Sequence, residues 1–261
     1  MNNQAMSNRF QMFWFEGPLS WIELHSFRSF VRFPGTRLHV YSYDKNANPK
    51  IDGVEWEDAN EILPLTIADQ FRRLFDKYRR GREGSPPSWA SDAFRYKLLY
   101  EKGGWYFDTD CILVKPLDPL FDLDFIFAFE EDDFIGTAVM KFPRGHPMLK
   151  AMYEECFRIC ERLSSEIDVK IDVKFTVFTR LLDDYAKKFG LFEKALPAEY
   201  FYPIPYESMD SLFRKPFNPG ENAFIIHLWN TRLRRKRWAE KDVHPSILNP
   251  VTTRQSAERD S

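Results

Sequence analysis

Two aspartates stand one position apart, Asp108 and Asp110, in the aromatic segment WYFDTDCILVK. Side chains of a strand alternate between its two faces, so a strand here would direct both carboxylates to the same side. Neighbouring carboxylates repel each other and are costly to bury unless a positive charge joins them. Magnesium and manganese ions are commonly held by one or two carboxylates together with substrate phosphates. The pair therefore predicts a metal site for an anionic ligand, although Asp-x-Asp is a common tripeptide that can also end a strand in water.

Asp92 and Arg95 are a second candidate pair, three positions apart on one face of the preceding helix. An ordinary surface ion pair would explain them. However, only Gly103 and Gly104 separate this helix from the acidic segment, so the same face can lie next to the carboxylates. Arg95 would then hold a phosphate or a sugar hydroxyl, and Asp92 a sugar hydroxyl.

The first part of the chain predicts the scaffold that would hold these residues. A strand at 10–15, an amphipathic helix at 19–31 and a strand at 37–44 follow one another. Strand, helix and strand in this order begin a parallel α/β sheet. Residues 45–65 have no clear pattern and are predicted to be irregular.

The rest of the chain continues the alternation of helices and strands. Helices are predicted at 67–80, 91–102, 146–163 and 176–190, and strands at 105–115, 124–131, 134–143 and 223–230. Gly103 stands just past the second of these helices, where glycine commonly ends a helix. Residues 199–206 are predicted to be a proline-rich loop or an edge strand. The fold class expected is α/β in a single domain.

Composition and charge exclude several classes of protein. The 261 residues are 44% hydrophobic, which is enough for a large buried core and excludes wholesale disorder. The 37 basic and 39 acidic residues nearly balance, so nothing in the overall charge suggests a nucleic-acid partner. Three cysteines form no disulfide framework, and neither a signal peptide nor a membrane-spanning run is apparent. A cytoplasmic protein is expected.

The residues around the aspartates resemble the core of a known group of enzymes, the DXD-type sugar transferases. These are the glycosyltransferase family 32 and α-1,4-glycosyltransferase-like enzymes of capsule, lipopolysaccharide and glycolipid synthesis. The likeness is carried by Ser91, Asp92, Arg95, Leu99, Gly103, Gly104, Tyr106, Asp108, Asp110, Lys115, Pro116 and Leu117. It extends more weakly over most of residues 10–230. The resemblance implies a GT-A fold, a Rossmann-like and mostly parallel mixed sheet flanked by helices, in one domain over 1–245, with a disordered tail at 246–261.

The resemblance also implies an activity. Its members use Mn²⁺ or Mg²⁺ to bind a nucleotide-sugar and transfer the sugar with retention at the anomeric carbon. The donor expected is a UDP-hexose, with GDP-mannose next, and the acceptor is a saccharide, glycolipid or protein hydroxyl. No nucleophile is evident in the sequence, so same-face attack is favoured, with the leaving phosphate accepting the proton. A covalent double displacement is the alternative. Asp132 or Asp133 could lie near the sugar, but neither is assigned as a nucleophile.

Site residues are carried over from the resemblance position by position. The catalytic residues expected are Asp92, Arg95, Asp108 and Asp110, and the metal ligands Asp108, Asp110 and His227. The nucleotide-sugar site would consist of Trp14, Tyr41, Asp92, Arg95, Tyr106, Asp108 and Thr109. Read without the resemblance, His227, Trp14 and Tyr41 are most simply explained as packed core residues. The sequence departs from the family at Thr137, where the family often has asparagine, and at 175–179, where it commonly has a Gly-Pro pair.

One basic cluster, residues 232–237, has three explanations. It can be a solvated face, an arginine clamp over the diphosphate, or a contact with an anionic membrane surface for a lipid-linked acceptor.

Two rival functions remain open. The segment YFDTDCI also fits the opening motif of haloacid-dehalogenase-type phosphohydrolases, with Asp108 as nucleophile and Asp110 as acid/base. That motif normally begins its domain, and it leaves Asp92 and Arg95 unexplained. The other rival is a non-catalytic sugar-nucleotide-binding protein.

Overall fold

The computed structural model describes residues 9–44, 49–79, 87–131, 133–165, 177–213 and 217–235. Its strands are β1 (Phe10–Trp14), β2 (Leu38–Ser42), β3 (Val54–Asp58), β4 (Gly104–Phe107), β5 (Cys111–Leu113), β6 (Ile126–Glu131), β7 (Phe134–Phe142) and β8 (Ile225–His227). Its α-helices are α1 (Trp21–Val31), α2 (Leu65–Arg79), α3 (Ser88–Lys102), α4 (Pro147–Ser165), α5 (Arg180–Lys188) and α6 (Asn230–Arg235). Short 3₁₀ helices cover Ala59–Glu61, Asp118–Leu120, Phe192–Lys194, Ala198–Tyr200 and Tyr206–Phe213.

Six strands form one mixed sheet in the order β3-β2-β1-β4-β7-β6. The pairs among β3, β2, β1 and β4 are parallel, whereas β7 is antiparallel to both β4 and β6. Strands β5 and β8 form a separate antiparallel pair. This arrangement confirms the predicted α/β class with a mostly parallel mixed sheet flanked by helices.

Both faces of the sheet are covered, which explains the continuous aromatic runs of its strands. In β1, Phe13 packs on one face and stacks against Phe94 of α3, with ring centroids 3.9 Å apart. On the other face, Phe107 of β4 packs against Phe30 of α1 at 4.6 Å. The helices on the first face are α2 to α5, so α3 is placed directly against the strands whose ends carry the candidate site.

One strand was not predicted. Residues 45–65 were expected to be irregular, yet β3 lies within them. Its sequence VEWED is half-buried throughout because it forms an edge of the sheet. An edge strand rich in charge has no clear hydrophobic alternation, so its sequence resembles a loop. The other predicted helices and strands in the described residues are present with shifted ends, and residues 198–200 form a 3₁₀ turn.

The predicted strand 105–115 is wrong, because the chain turns at the two aspartates. Strand β4 ends at Phe107 and β5 begins at Cys111, whose N–H donates to the carbonyl of Asp108 at 3.1 Å. The strand breaks because its two halves have different partners: β4 pairs with β1 and β7, and β5 pairs with β8. Hydroxyls of Ser26 and Ser29 in α1 bond to the backbone of β5 at 2.7 and 2.8 Å.

The α3–β4 junction allows a first prediction, on stability. Gly103 has φ 67°, and a Cβ there would lie 2.6 Å from the backbone N of Arg144, whereas Gly145 has φ 77° and nothing within 4 Å. We expect Gly145→Ala to cost about 1–2 kcal/mol for its backbone conformation alone. Gly103→Ala adds a clash and should cost roughly 2–5 kcal/mol. Urea unfolding of both variants measures the difference, and equal losses would show that the contact with Arg144 relaxes freely.

Candidate functional site

The turn that carries the two aspartates is fixed by backbone hydrogen bonds at both ends. The N–H of Asp108 donates to the carbonyl of Ala138 in β7 at 2.8 Å, which continues the β4–β7 ladder by one residue. The carbonyl of Asp110 accepts from the N–H of Leu228 at 3.0 Å, just beyond β8. The turn therefore bridges the large sheet and the small one.

The structure brings Asp108, Asp110 and His227 together as a group that could hold a metal ion. Ligand atoms of the three side chains lie within 4.8 Å of one another, and Nε2 of His227 is 3.3 Å from Oδ1 of Asp110. His227 arrives through the register of β5 and β8, in which it pairs with Cys111. Its Nδ1 is buried and has no hydrogen-bond partner within the described part of the chain. Two carboxylates and an imidazole are a donor set that suits manganese, so these residues fit a divalent cation.

The charges of these three side chains shift one another's pKa values. Burial raises the pKa of Asp108; Arg95 opposes this, and neighbouring Asp110 adds to it. Burial also acts to raise the pKa of Asp110, but His227 and the backbone N–H of Asn230 outweigh it and leave that pKa below its ordinary value. Burial acts to lower the pKa of His227, yet the carboxylate of Asp110 raises it overall. The site thus combines two unlike carboxylates with an imidazole that carries positive charge readily.

Arg95 of α3 anchors Asp108. Its side chain is 6% exposed, and Nη2 lies 3.0 Å from Oδ1 of Asp108 and 3.4 Å from Oδ1 of Asp92. Nη1 donates to the carbonyl and hydroxyl of Thr137 at 2.8 and 2.7 Å, and Nε to the carbonyl of Ser91 at 3.4 Å. Nη1 also donates to Oδ2 of Asp108 at 3.4 Å, so the guanidinium contacts both oxygens of that carboxylate. Arg95 is therefore engaged in positioning the turn.

Two further predicted residues join this cluster. The hydroxyl of Tyr106 donates to Oδ1 of Asp108 at 3.1 Å, and the guanidinium of Arg95 lies 5.0 Å from its ring centroid. Burial raises the pKa of Asp92 to about 7, although the charge of Arg95 opposes the rise. Thr109 is half-buried in the turn itself. The predicted approach of the Asp92–Arg95 face to the acidic residues is thus present in the structure.

The two aromatic residues predicted for the donor site differ in their exposure to solvent: Trp14 is half-buried and Tyr41 is buried. Trp14 ends β1, is half-buried and donates from Nε1 to the carbonyl of Gly17 at 2.9 Å. Tyr41 is 1% exposed and packs against Phe94, with ring centroids 5.7 Å apart. Stacking of a base on Tyr41 would require the core around it to open. Within the part of the chain that the structure describes, neither Trp14 nor Tyr41 forms a hydrogen bond with Asp108.

Glu130 is a candidate that the sequence reasoning missed. It lies in β6 where the register with β7 is irregular, between Phe129 and Glu131. Burial raises its pKa to about 7, His227 opposes the rise, and Asp108 is among the groups that add to it. The charges of His227 and Asp108 therefore both act on the Glu130 carboxyl.

The two acids that the sequence suggested for the sugar side, Asp132 and Asp133, stay predictions. Asp133 is exposed, and Asp132 lies outside the described residues. The sequence EEDD offers four adjacent acids, and no periodicity singles out the first of them. Only the bulge in β6 distinguishes Glu130, and bulges are over-represented next to active sites.

Two arginines of the basic cluster are engaged with acidic partners. Arg232 pairs with Glu207 at 3.0 Å, and Arg234 pairs with Glu23 at 2.9 Å. Positions 236 and 237, like the predicted tail 246–261, lie outside the described residues. The phosphate clamp and the membrane contact stay predictions.

Residues 37–126 match the family model described as "Glycosyltransferase sugar-binding region containing DXD motif". The matched segment contains Asp92, Arg95 and both aspartates of the turn.

Two curated relatives share one name, lactosylceramide 4-alpha-galactosyltransferase. Lactosylceramide 4-alpha-galactosyltransferase of Rattus norvegicus is 28% identical over 155 residues, which are 54% of this chain and 41% of that protein. The Homo sapiens protein of that name is 26% identical over 196 residues, 68% of this chain and 53% of the relative. The chain thus spans about half the length of the curated relatives it matches.

Two solved structures are similar at lower identity. "PaToxG Glycosyltransferase" gives a TM-score of 0.46 at 16% identity, over 74% of this chain and 76% of that one. The glycosyltransferase GlyE of Streptococcus pneumoniae TIGR4 gives 0.45 at 15% identity, over 95% and 64%. Within the described residues, no helix is long and apolar enough to cross a membrane. The family model and the curated relatives confirm the resemblance drawn from the sequence.

Proposed function

We propose that this chain, a relative of the DXD-type glycosyltransferases, transfers a hexose with retention from a nucleotide-sugar to a sugar hydroxyl, with the help of a divalent metal ion. The observation that carries the proposal is the group of Asp108, Asp110 and His227, whose ligand atoms lie within 4.8 Å of one another. The two aspartates lie in a turn that is fixed at both ends, and His227 lies on the adjacent β8. This group lies at the carboxyl end of β4, where ligands bind in open α/β sheets.

Each residue of the cluster has a defined part in this proposal. Asp108, Asp110 and His227 would hold the metal ion, which supplies neutralising charge to the leaving nucleotide diphosphate. Arg95 and Tyr106 hold Asp108 in one orientation through their hydrogen bonds. Asp92, which lies on α3 with Arg95, would accept a hydrogen bond from a hydroxyl of the donor sugar. The acceptor hydroxyl attacks the anomeric carbon on the face that the phosphate leaves.

The relatives suggest which donor and acceptor to try first. Their name, lactosylceramide 4-alpha-galactosyltransferase, describes transfer of galactose to a lactose-bearing lipid. We therefore place UDP-galactose first among donors, ahead of UDP-glucose and GDP-mannose. A saccharide or glycolipid that ends in lactose is the first acceptor.

A donor panel tests the proposed function. The protein is incubated with each nucleotide-sugar and MnCl₂, with and without a lactosyl glycoside, while nucleotide diphosphate release and the new glycoside are measured. We expect one UDP-sugar to be consumed faster with the acceptor and not to be consumed in EDTA. Phosphate release from simple phosphomonoesters would point to the phosphohydrolase instead. Metal-dependent binding without turnover would indicate a binding protein.

Glu130 gives a prediction about the reacting side of the site. Strand β6 lies at the edge of the sheet beyond β7, on the side away from β1 and β2, where the nucleotide is expected. A carboxylate there can accept a hydrogen bond from the acceptor hydroxyl and orient it. We expect Glu130→Gln to lower the transfer rate on the order of 100-fold, because misplacing a reacting group has effects of this size.

The neighbouring Glu131 provides the control for this prediction, because it is exposed at the end of the same strand. Glu131→Gln should transfer within about twofold of the wild-type rate, since surface changes away from a site have small effects. Donor affinity, measured by calorimetry, should be the same in both variants and the wild type. Equal transfer rates in the two variants would contradict a role for Glu130.

A further inference from the structure

A chain of hydrogen bonds runs from Asp110 to the start of helix α1. It begins at the backbone N–H of Asn230, which donates to Oδ2 of Asp110 at 2.7 Å. The preceding residue, Trp229, has φ 52°, and it is the one non-glycine residue with positive φ in the described chain. A bulky residue rarely adopts this conformation, so surrounding contacts must maintain it. The turned backbone directs the next N–H at the carboxylate.

The side chain of Asn230 continues the chain of hydrogen bonds. Its Nδ2 donates to Oε1 of Glu23 at 2.7 Å, and its Oδ1 accepts from Nε of Arg234 at 2.9 Å. Arg234 also donates from Nη2 to the same Oε1 at 2.9 Å. Asn230, Glu23 and Arg234 thus form a closed triangle, so the position of the Asn230 backbone depends on Glu23.

Glu23 is 0% exposed and has two separate roles. Its Oε2 accepts from both the N–H and the hydroxyl of Ser20 at 2.7 Å, which completes the capping box of α1. A capping box requires only this one oxygen. The other oxygen, Oε1, receives Asn230 and Arg234 from the segment that follows β8. The capping requirement alone does not explain why this second oxygen is fully engaged.

We propose that Glu23 and Asn230 are positioning residues for the metal-binding carboxylate of Asp110. Oδ2 is held by the Asn230 N–H and Oδ1 lies 3.3 Å from Nε2 of His227, so contacts at both oxygens fix the orientation of the Asp110 carboxylate. Outer partners of this kind orient the ligands of a metal and alter its affinity. The inference rests on the proposed function in one respect, namely that Asp110 binds a metal ion.

The test compares Glu23→Gln with Ser20→Ala. Glutamine keeps the size of the side chain and can still accept from Ser20, but its amide then presents N–H groups to Asn230 and Arg234, which are donors themselves. Ser20→Ala removes the capping hydroxyl and its 3.4 Å hydrogen bond from Arg234, and it leaves Oε1 of Glu23 and its bonds to Asn230 and Arg234 in place. Both variants weaken the start of α1, but only Glu23→Gln removes the acceptor that Asn230 uses on Glu23.

Manganese affinity in the presence of UDP is measured by electron paramagnetic resonance, and thermal unfolding is followed in parallel. We expect Glu23→Gln to bind Mn²⁺ on the order of 10-fold more weakly than the wild type, in the range seen when outer partners of metal ligands are changed. Ser20→Ala should bind within about twofold of the wild type, since it leaves the carboxylate's support in place. Asn230→Ala removes the side-chain bond to Glu23 and leaves the helix cap unchanged. Its affinity for Mn²⁺ should match that of Glu23→Gln. This variant tests the inference if Glu23→Gln fails to fold.

Two results would overturn the inference, and only the second would also overturn the proposed function. If the wild type binds Mn²⁺ and the Glu23 and Asn230 variants bind it equally well, the positioning role is wrong and the proposed function stands. If the wild type binds no Mn²⁺ with UDP, the metal-dependent function fails, and this inference fails with it.

Discussion

Asp110→Asn is expected to remove metal-dependent donor binding. The change replaces a charged ligand by a neutral amide in a site whose three ligand groups lie within 4.8 Å of one another. The amide oxygen can still accept from the N–H of Asn230, so the fold around the turn should persist. We expect the affinity for a UDP-sugar in Mn²⁺ to fall at least about 100-fold, because loss of a ligand should exceed the 10–100-fold effect of changing its outer partners.

Calorimetry with the donor identified in the panel measures this loss. Asp76→Asn, an exposed aspartate on α2, is the matched control and should bind as the wild type does. The thermal midpoint of each variant shows whether it is folded. If folded Asp110→Asn binds the donor with wild-type affinity in Mn²⁺, Asp110 is not a metal ligand and the proposed mechanism is wrong.

Arg95→Met is expected to have the largest effect on stability. The change leaves the carboxylates of Asp92 and Asp108 without the guanidinium that contacts both. Removing one partner of a buried ion pair typically costs about 3–5 kcal/mol. Arg72→Met on α2 is the control, since Arg72 pairs with Glu16 and Asp69 at a site where its side chain is 35% exposed. A loss of about 0–1 kcal/mol is expected there.

The loss in Arg95→Met should depend on pH. Burial raises the pKa of Asp92 to about 7 from 3.8 while Arg95 acts to lower it, so removal of Arg95 raises this pKa further and the folded variant retains a proton that its unfolded chain releases. A carboxyl with a raised pKa stabilises the fold at low pH, and this contribution is lost as the pH rises through the folded value. Urea unfolding at pH 5 should therefore recover part of the loss seen at pH 7.5. Equal losses for Arg95→Met and Arg72→Met would contradict the anchoring role of Arg95.

Several parts of this site could be predicted from the sequence because their signals are local. The interval of three between Asp92 and Arg95 specifies one helix face, and Gly103 marks the end of that helix. Its backbone does adopt the positive φ that favours glycine. These two facts, with the short connection to β4, are sufficient to bring Arg95 next to Asp108.

Other parts could not be predicted because they depend on distant residues. The alternation rule placed Asp108 and Asp110 on one strand, but β5 pairs with β8, whose residues follow more than a hundred positions later. The selection of Glu130 among adjacent acids depends on a bulge against β7. The engagement of Glu23 with Asn230 joins the two ends of the described chain. Side-chain spacing within one segment contains no information about such contacts.

The pairing of Arg95 with two carboxylates has a consequence for the order in which ligands bind. A diphosphate that enters alone meets the carboxylates of Asp108 and Asp110, and the charge of Arg95 is already paired with Asp108 and Asp92. Positive charge must therefore accompany the nucleotide, which favours entry of the donor as its metal complex. Occupancy by the donor then follows the concentration of free metal ion as well as that of the sugar nucleotide.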